Sequence, residues 1–554
     1  MNALLPPLRP FEGALAYHAR TKHSLKAYAA GPETLDWDTQ PNPFRTYEGA
    51  PRTVLPLAAE ALDVPFSEMV EGMVASAPVD LAGVALLLEL SFGLAAWKQL
   101  GPDRWALRCN PSSGNLHPTE AYVIAGHIAG LADGVHHYVS RDHVLEQRFA
   151  PPGPDVVAVA SASGFAIENR FGPAGGAPSL FLALSSIHWR EAWKYGERAF
   201  RYCQLDLGHA LAAVRYAAAC LGWTARLVET ATSADIAHRI GLDRDGDFAG
   251  AEREDPDMLI ALAPAGGDLP VLPPVPFGGR WMGKANVLDR HPLYRWPVID
   301  QMSLATHRER AAADAPEPAS VLPTRDVAND ARAASVILGR RSAQRFTAKG
   351  SMMPKEVFLG LLDALLPRAS APFDGWDFAA RVHPLLFVHR VDGLAPGLYA
   401  LPRRDGVVAS LKAALRSDFT WEKPEGLPAH LPLYRLVETD CRGIARTVSC
   451  HQAIASDSSF ALAMLAEFEP LVTADPWRYR QLHWEAGMIG QSLYLEAEAA
   501  GFRGTGIGCF FDDDLHQLLG LEGAAFQSIY HFTVGRAAVD DRITTEPAYP
   551  GRVA

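Results

Sequence analysis

Apolar positions along the chain fall into blocks divided by proline- and glycine-rich turns. A helical pattern starts near residue 15. The longest apolar stretch, Val84 to Trp97, carries Glu89 and predicts a buried core helix over about 80–100, too short to span a bilayer. Glu120 to Ala125 alternates small and large apolar residues and predicts a strand. His136–Val139 predicts a short β segment and Leu180–Leu184 a buried strand, with Pro151–Val159 opening the region between them. Ala199–Leu221 reads as a long apolar helix closed by Gly222, a normal residue after a helix end. Further on, helices are expected at Asp326–Leu338, from Pro354 to Leu366, at Ile454–Phe468 and at Trp484–Ala500. Strands are expected at Val382–Val388, around Leu398–Ala400 and at Ser528–Val534. On this pattern helices dominate and each half carries a modest sheet.

Residues 265–325 break the pattern. Prolines and paired glycines rule out regular helix or a central strand. Trp281, Tyr294 and Trp296 call for burial, so the connection is expected to be ordered at first. From about Thr306 to Pro323 it reads as flexible and polar.

The pattern also repeats. Residues 201–242 align with 480–521 without a gap: Arg201 meets Arg480, Asp206 meets Glu485, Gly208 meets Gly487, Gly222 meets Gly501 and Leu242 meets Leu521. One fold is therefore expected twice, as 1–265 and 326–554, joined by a Pro/Gly-rich linker at 266–325.

Composition narrows the class. A chain of 554 residues calls for several domains, and 48% hydrophobic with 21% charged residues describes an ordinary folded soluble protein. A net charge of −12 argues against a nucleic-acid binder, which needs a basic surface. The six cysteines show no CxxC spacing, so neither a zinc ribbon nor a redox pair is indicated, and their scarcity fits a reducing cytoplasm. The first twenty residues hold prolines and an acid where a signal peptide needs an apolar run, and nothing suggests a membrane protein.

Several segments carry candidate chemistry. Arg340-Arg341-Ser342 closes a helix; two guanidiniums and a hydroxyl on a tight turn suit a phosphate, although a basic helix end also complements the helix dipole. Pro111-Ser112-Ser113-Gly114-Asn115 sets short polar side chains after a rigid turn, able to edge a flat heteroaromatic ligand or simply to lead into a strand. Gly504-Thr505-Gly506-Ile507-Gly508 lets backbone approach a ligand closely, or is a plain helix-to-strand connection; it is not a dinucleotide fingerprint. Arg536 ends the last strand, where it could meet a phosphate. Lys194-Tyr195 offers a base and a proton donor if burial shifts either group, or surface charge at a helix entry. His136-His137 and Cys450-His451 lack convergent metal ligands.

Together these segments resemble the FMN-dependent nitroreductase superfamily, and more closely its SagB/ThcOx-type dehydrogenases, which include azoline oxidases of peptide natural-product pathways. The resemblance rests on NPSSGNLHPTEAYV (110–123), WKYGERAFRYCQLDLGH (193–209), ILGRRSAQRF (337–346), TVSCHQAIASDSSFALAMLAEF (447–468) and GFRGTGIGCFFDDDLHQLLGL (501–521). It implies an α+β fold, a mainly antiparallel sheet wrapped by helices, duplicated in tandem so that the family's usual dimer is fused into one chain. It implies FMN, with Arg340, Arg341, Ser342 and Arg536 at the phosphate and Gly506, Ile507 and Gly508 near the flavin's reactive edge. Pro111, Ser112, Ser113 and Asn115 would come from the opposite half, and Lys194 and Tyr195 would assist substrate deprotonation. The mirror site is expected to be lost, because Lys22-His23-Ser24, Glu229 and Ala379–Pro384 stand where the functional segments belong. One FMN per chain follows.

The implied substrate is a small molecule or a modified peptide, with NAD(P)H as a possible donor if the protein instead reduces nitro compounds or quinones. A non-catalytic flavin-binding scaffold in a biosynthetic complex is the third reading. The fused chain is expected to act as a monomeric pseudo-dimer or a higher homo-oligomer.

Overall fold

The computed structural model describes residues 13–152, 176–273, 278–310, 322–327, 329–347 and 351–551. Most of Pro151–Val159, part of the polar stretch before Pro323 and the first twelve residues lie outside these ranges. Both halves are built around an antiparallel sheet.

In the first half, helices α1 (Ala14–Arg20), α2 (Phe66–Glu71) and α3 (Leu81–Ser91) precede a hairpin of β1 (Leu94–Leu100) and β2 (Asp103–Arg108). The main sheet follows: β3 (Thr119–Gly126), β4 (Gly134–Val139), β5 (Val144–Ala150), β6 (Ser179–Ser186), β7 (Trp223–Leu227) and β8 (Asp255–Pro264). Helices α4 (His188–Tyr195) and α5 (Ala199–Cys220) lie between β6 and β7. The core helix expected to reach residue 100 stops at Ser91. A Cβ at Gly93 would lie 2.4 Å from the Glu89 carbonyl, so the chain turns tightly there, and Leu94–Leu100 becomes a strand.

The second half opens with α6 (Pro297–Ala305) and α7 (Ala333–Gly339), then adds β9 (Val382–Val388), β10 (Gly397–Ala400) and β11 (Tyr434–Glu438). Helices α8 (Arg442–Val448) and α9 (Ala453–Asp457), strand β12 (Phe460–Glu467), the long α10 (Arg478–Ala499), β13 (Arg503–Ile507), α11 (Asp512–Leu519), β14 (Phe526–Gly535) and β15 (Thr544–Glu546) follow. Ile454–Phe468, expected as one helix, splits into α9 and the buried central strand β12. Alanines and leucines that satisfy a helix also satisfy a strand covered on both faces. Helix α7 likewise begins only at Ala333.

The strand orders demonstrate the duplication. The first sheet runs β5-β4-β3-β6-β8-β7 and the second β11-β10-β9-β12-β14-β13, one order traced twice. The two 22-residue helices α5 and α10, aligned by the sequence repeat, pack against each other. A Cβ on Gly208 would sit 2.1 Å from the Trp484 carbonyl oxygen, and one on Gly487 would sit 2.3 Å from that of Leu205. The paired glycines are therefore the crossing point. The chain is an α+β protein whose two halves form an intramolecular pseudo-dimer.

Two matched details fix the correspondence of the shorter elements. Arg201 Nε donates to Thr21 Oγ1 at 3.0 Å, and Arg480 Nε donates to Thr306 Oγ1 at 3.0 Å. So α1 and α6 are equivalents, and α6 lies within the stretch that composition marks as linker. Phe66 N donates to the Ala331 carbonyl and Ala333 N to the Val64 carbonyl, both at 2.8 Å, which pairs α2 with α7. Among the described residues of the connection before α6, Arg280–Trp281 pairs with β5, and Trp281 packs on Phe149 at 4.9 Å.

Candidate active site

A cavity of about 600 Å³ opens between the halves. Its floor is the α5/α10 crossing, its first-half wall the loop between β2 and β3, and its second-half wall the turn after α7 together with edge strand β13. Pro111, Ser112, Ser113, Asn115, Tyr195, Arg340, Arg341, Ser342, Gly506, Ile507 and Gly508 all line it. Lys194 and Arg536 do not. Arg536 is exposed and stacks over Phe502 at 4.9 Å, because the chain turns outward after Gly535; Ala537–Asp540 line the cavity instead.

The basic end of the cavity is the turn after α7. Arg340 is buried; its guanidinium reaches across the pseudo-dimer to the carbonyls of Cys109 (3.2 Å) and Arg108 (3.0 Å) and stacks over Tyr494. Arg341 donates to the carbonyls of Leu338 and Arg340, each at 2.7 Å. Arg503 from β13 and Lys98 from β1 join them on the cavity wall. Burial first, then the charge of Arg340, pulls Arg341 down to about 10. Burial and the Arg341 and Arg503 guanidiniums likewise lower Lys98. Glu498, 3.5 Å from Arg503, is the acid beside them, and burial raises its pKa. Cations that crowd until they repel describe a site for an anion. The motif pointed to Arg340 and Arg341. It carried no sign of Arg503 or Lys98, which arrive on strands from opposite halves.

The polar groups of the β2–β3 loop turn inward as fasteners. Ser113 donates its N–H and hydroxyl to the Asp206 carboxylate, each at 3.0 Å. Ser112 Oγ accepts from His117 N at 2.8 Å, and Asn115 Nδ2 donates to the Ala106 carbonyl at 2.9 Å. Gly114 has φ 59, and a Cβ there would lie 2.5 Å from the Tyr195 hydroxyl, so this loop closes on Tyr195 only with glycine. The loop is held rigid before any ligand arrives. Asn110 Oδ1, buried on the same wall, has no partner among the described residues.

On the opposite wall the Gly506 N–H is already donated, to Tyr494 Oη at 3.0 Å, and that hydroxyl lies 2.7 Å from Ser342 Oγ. Gly506 and Gly508 instead make room: Cβ atoms there would lie 1.8 Å from the Tyr530 hydroxyl and 2.4 Å from the Tyr202 ring. The cavity is thus floored by tyrosines, basic at one end and faced by bare backbone, an arrangement that accepts a flat ring with an anionic tail.

Titratable groups gather near Tyr195. Burial raises the Tyr195 phenol well above its ordinary value, and Glu191 adds to this. Lys194 lies behind it, its Nζ 5.3 Å from the Tyr195 ring and 5.4 Å from Trp37, lowered by burial. Burial also lifts Asp206 to about 7, on a carboxyl that lines the cavity and takes hydrogen bonds only from serines among the described residues. The sequence marked Asp206 only as a repeat match.

The mirror position is closed. Glu485, the equivalent of Asp206, pairs with Arg403 and accepts from Arg381 N at 2.9 Å, as Asp206 accepts from Ser113 N. Glu229 accepts from Asp377 N at 2.8 Å. The pairing of α2 with α7 corrects one expectation. The equivalents of Arg340-Arg341-Ser342 are Met73-Val74-Ala75, not Lys22-His23-Ser24, which follows α1. The loss of charge is therefore complete.

These features define an α+β fused pseudo-dimer with a developed cleft between its halves. Nitroreductase-family domains are matched in both halves: the model of the nitroreductase family matches residues 77–251 and 448–536. Members of that family are generally flavin-dependent oxidoreductases. Over 118 residues the chain is 36% identical to the trifolitoxin-processing protein TfxB of Rhizobium leguminosarum bv. trifolii, a match spanning 20% of this chain and 29% of that protein. It is 25% identical over 147 residues to a protein of Methanocaldococcus jannaschii assigned as a nitroreductase, covering 26% of this chain and 67% of the relative. The crystal structure of a protein from Anabaena variabilis with the same assignment superposes over 95% of this chain and 99% of its own, with a TM-score of 0.65 at 19% identity, a likeness of fold. Among the described residues no helix is long and apolar enough to cross a membrane, and no cluster of His, Cys, Asp and Glu could hold a metal.

Proposed function

We propose that this chain is an FMN-dependent dehydrogenase of the SagB/ThcOx type, holding one FMN per chain and oxidising azoline or related groups in a peptide-derived substrate in the cytoplasm. The observation that carries this reading is the two-sided cleft, where a first-half serine loop faces a second-half cation cluster across a tyrosine floor. Likeness to a protein named for processing trifolitoxin supports a peptide-derived substrate.

In this reading Arg340, Arg341, Ser342 and Arg503 hold the phosphate, with Lys98 beside them. Arg503 takes the part expected of Arg536. The Pro111–Asn115 loop and Gly506–Gly508 orient the ring from opposite sides. Bound FMN supplies the two-electron chemistry. The half-buried Tyr195 keeps its own proton and orients the substrate at the cavity, while Lys194, lowered by burial, is the base toward which the proton lost in substrate oxidation passes.

Flavin absorbance against protein concentration after reconstitution tests the site; the expected ratio is one FMN per chain, and a ratio near two or zero overturns it. Single-turnover flavin reduction by a thiazoline-containing peptide tests the substrate class. Rapid NADPH oxidation with a nitroaromatic and none with the peptide would mark a nitroreductase or quinone reductase. Tight FMN with no turnover of any donor would mark a scaffold.

A further inference from the structure

The cysteine spacing indicates no redox pair, yet the fold brings Cys450 and Cys509, 59 residues apart, to an Sγ–Sγ separation of 2.7 Å. Cys509 lines the cavity directly after Gly508. Cys450 lies in the turn after α8, where Cys450 and His451 adopt φ 52 and 59, a left-handed region rare for such side chains. Two hydrogen bonds clamp this turn to the Cys509 segment: Phe511 N to the Val448 carbonyl at 2.8 Å, and Gln452 Nε2 to the Cys509 carbonyl at 3.2 Å. Both thiols are free and half-buried, whereas Cys109, Cys203, Cys220 and Cys441 are buried.

The surroundings separate the two sulfurs chemically. The hydrogen bond shared with Cys450 holds Cys509 well below the ordinary thiol range; His23 and Arg198 act in the same direction, against burial. The same hydrogen bond, with burial, pushes Cys450 up. Tyr28 and Tyr202 also face the pair, and Asp512 is held by Arg198 and Arg201 at 3.0 and 2.8 Å. Two sulfurs 2.7 Å apart, with His23 and Arg198 on the Cys509 side, suit an attacking thiol at Cys509 and a resolving thiol at Cys450.

We propose that Cys450 and Cys509 form a redox-active dithiol that closes reversibly to a disulfide at the cavity wall, with Cys509 attacking and a small disulfide as oxidant. The Cys509 thiolate attacks one sulfur of RSSR, the S–S bond breaks, and RS⁻ leaves and takes a proton. The Cys450 thiol then gives up its proton and attacks the Cys509 sulfur of the mixed disulfide, expelling the second RS⁻. Two protein thiols are oxidised, one RSSR is reduced to two RSH, and two electrons move. Closing the bond brings the sulfurs about 0.7 Å nearer, to the ~2.05 Å of a disulfide, and ties the turn after α8 to the wall beyond Gly508. The reaction is separate from the flavin reading and needs no bound flavin.

The full chain, treated with oxidised glutathione, acid-quenched, alkylated and mapped by mass spectrometry, tests the proposal. Two of the six thiols are expected to disappear into one Cys450–Cys509 linkage with no glutathione retained, and dithiothreitol should restore all six. In Cys450→Ser, glutathione should remain trapped on Cys509; Cys450→Ala gives the same readout if the serine variant is poorly folded. In Cys509→Ser, glutathione uptake by Cys450 should be at least tenfold slower. Six thiols persisting in the parent chain, or trapping spread over the other cysteines in the Cys450 variants, overturns the proposal.

Discussion

Arg341 is the most informative side chain for the anion site, since it stays charged among Arg340, Arg503 and Lys98 at the cost of a pKa drawn down to about 10. A bound phosphate would relieve that crowding. Arg341→Ala is therefore expected to weaken FMN by about 1.5–3 kcal/mol, the range for a charge-assisted hydrogen bond, with Arg503→Ala moving the same way. Lys22→Ala serves as control, because Lys22 pairs with Asp513 at 2.7 Å away from the cavity. Fluorescence titration of flavin separates the cases, and equal losses from Arg341 and Lys22 contradict the site. Lys194→Ala should leave flavin content unchanged while single-turnover reduction falls about 10²–10⁴-fold, the usual range for a general acid or base. If only the melting temperature changes, Lys194 merely packs on Trp37.

Asp206 adds a pH effect. Its carboxyl keeps a proton to about pH 7 in the fold, whereas an unfolded aspartate loses it near pH 4. Between those values the folded state binds more protons, so stability falls as pH rises, by at most about 1.4 kcal/mol per pH unit. Asp206→Asn retains an acceptor for Ser113 and should flatten that decline in urea midpoints taken from pH 4 to 7. A constant offset from the parent across the range would argue against a raised Asp206. The contrast with Glu485 shows why sequence alone missed it. Aligned carboxylates look interchangeable until the fold gives Arg403 to one and only serines to the other.

At the scale of elements, the long helices and most strands follow from apolar patterning, and the repeat is legible because α5 and α10 share their register. Patterning failed where burial on both faces erased the period, as in β12, and where one tight turn at Gly93 divided an apolar run between α3 and β1. It also failed for the pairing of α2 with α7, which rests on backbone bonds that no side chain announces. The Gly208/Gly487 crossing yields a prediction whose sign discriminates. Alanine for glycine inside a helix ordinarily stabilises by about 1 kcal/mol. In Gly487→Ala the new methyl would meet the Leu205 carbonyl at 2.3 Å, so a loss of about 1–3 kcal/mol is expected by thermal or urea unfolding. A raised melting temperature would show that the helices cross less closely.

At the scale of the whole molecule, neither half owns the cleft. Arg340 is anchored on carbonyls of the first half, His209 lies 3.0 Å from Tyr530, Trp484 donates to Gln204 at 2.8 Å, and β15 pairs with β1. A chain divided after Arg295, just before α6, should therefore give two fragments that bind no FMN singly and regain binding when produced together. Flavin retention by either fragment alone would place the site within one half.

The unlike fates of Arg340-Arg341-Ser342 and Met73-Val74-Ala75 carry a genetic consequence. In a homodimer each codon is written once and read twice, so any substitution that abolishes one site abolishes its twin. Joining the copies end to end releases them from that bond. One copy of the cleft can then drift into mere scaffolding, while selection continues to refine the other.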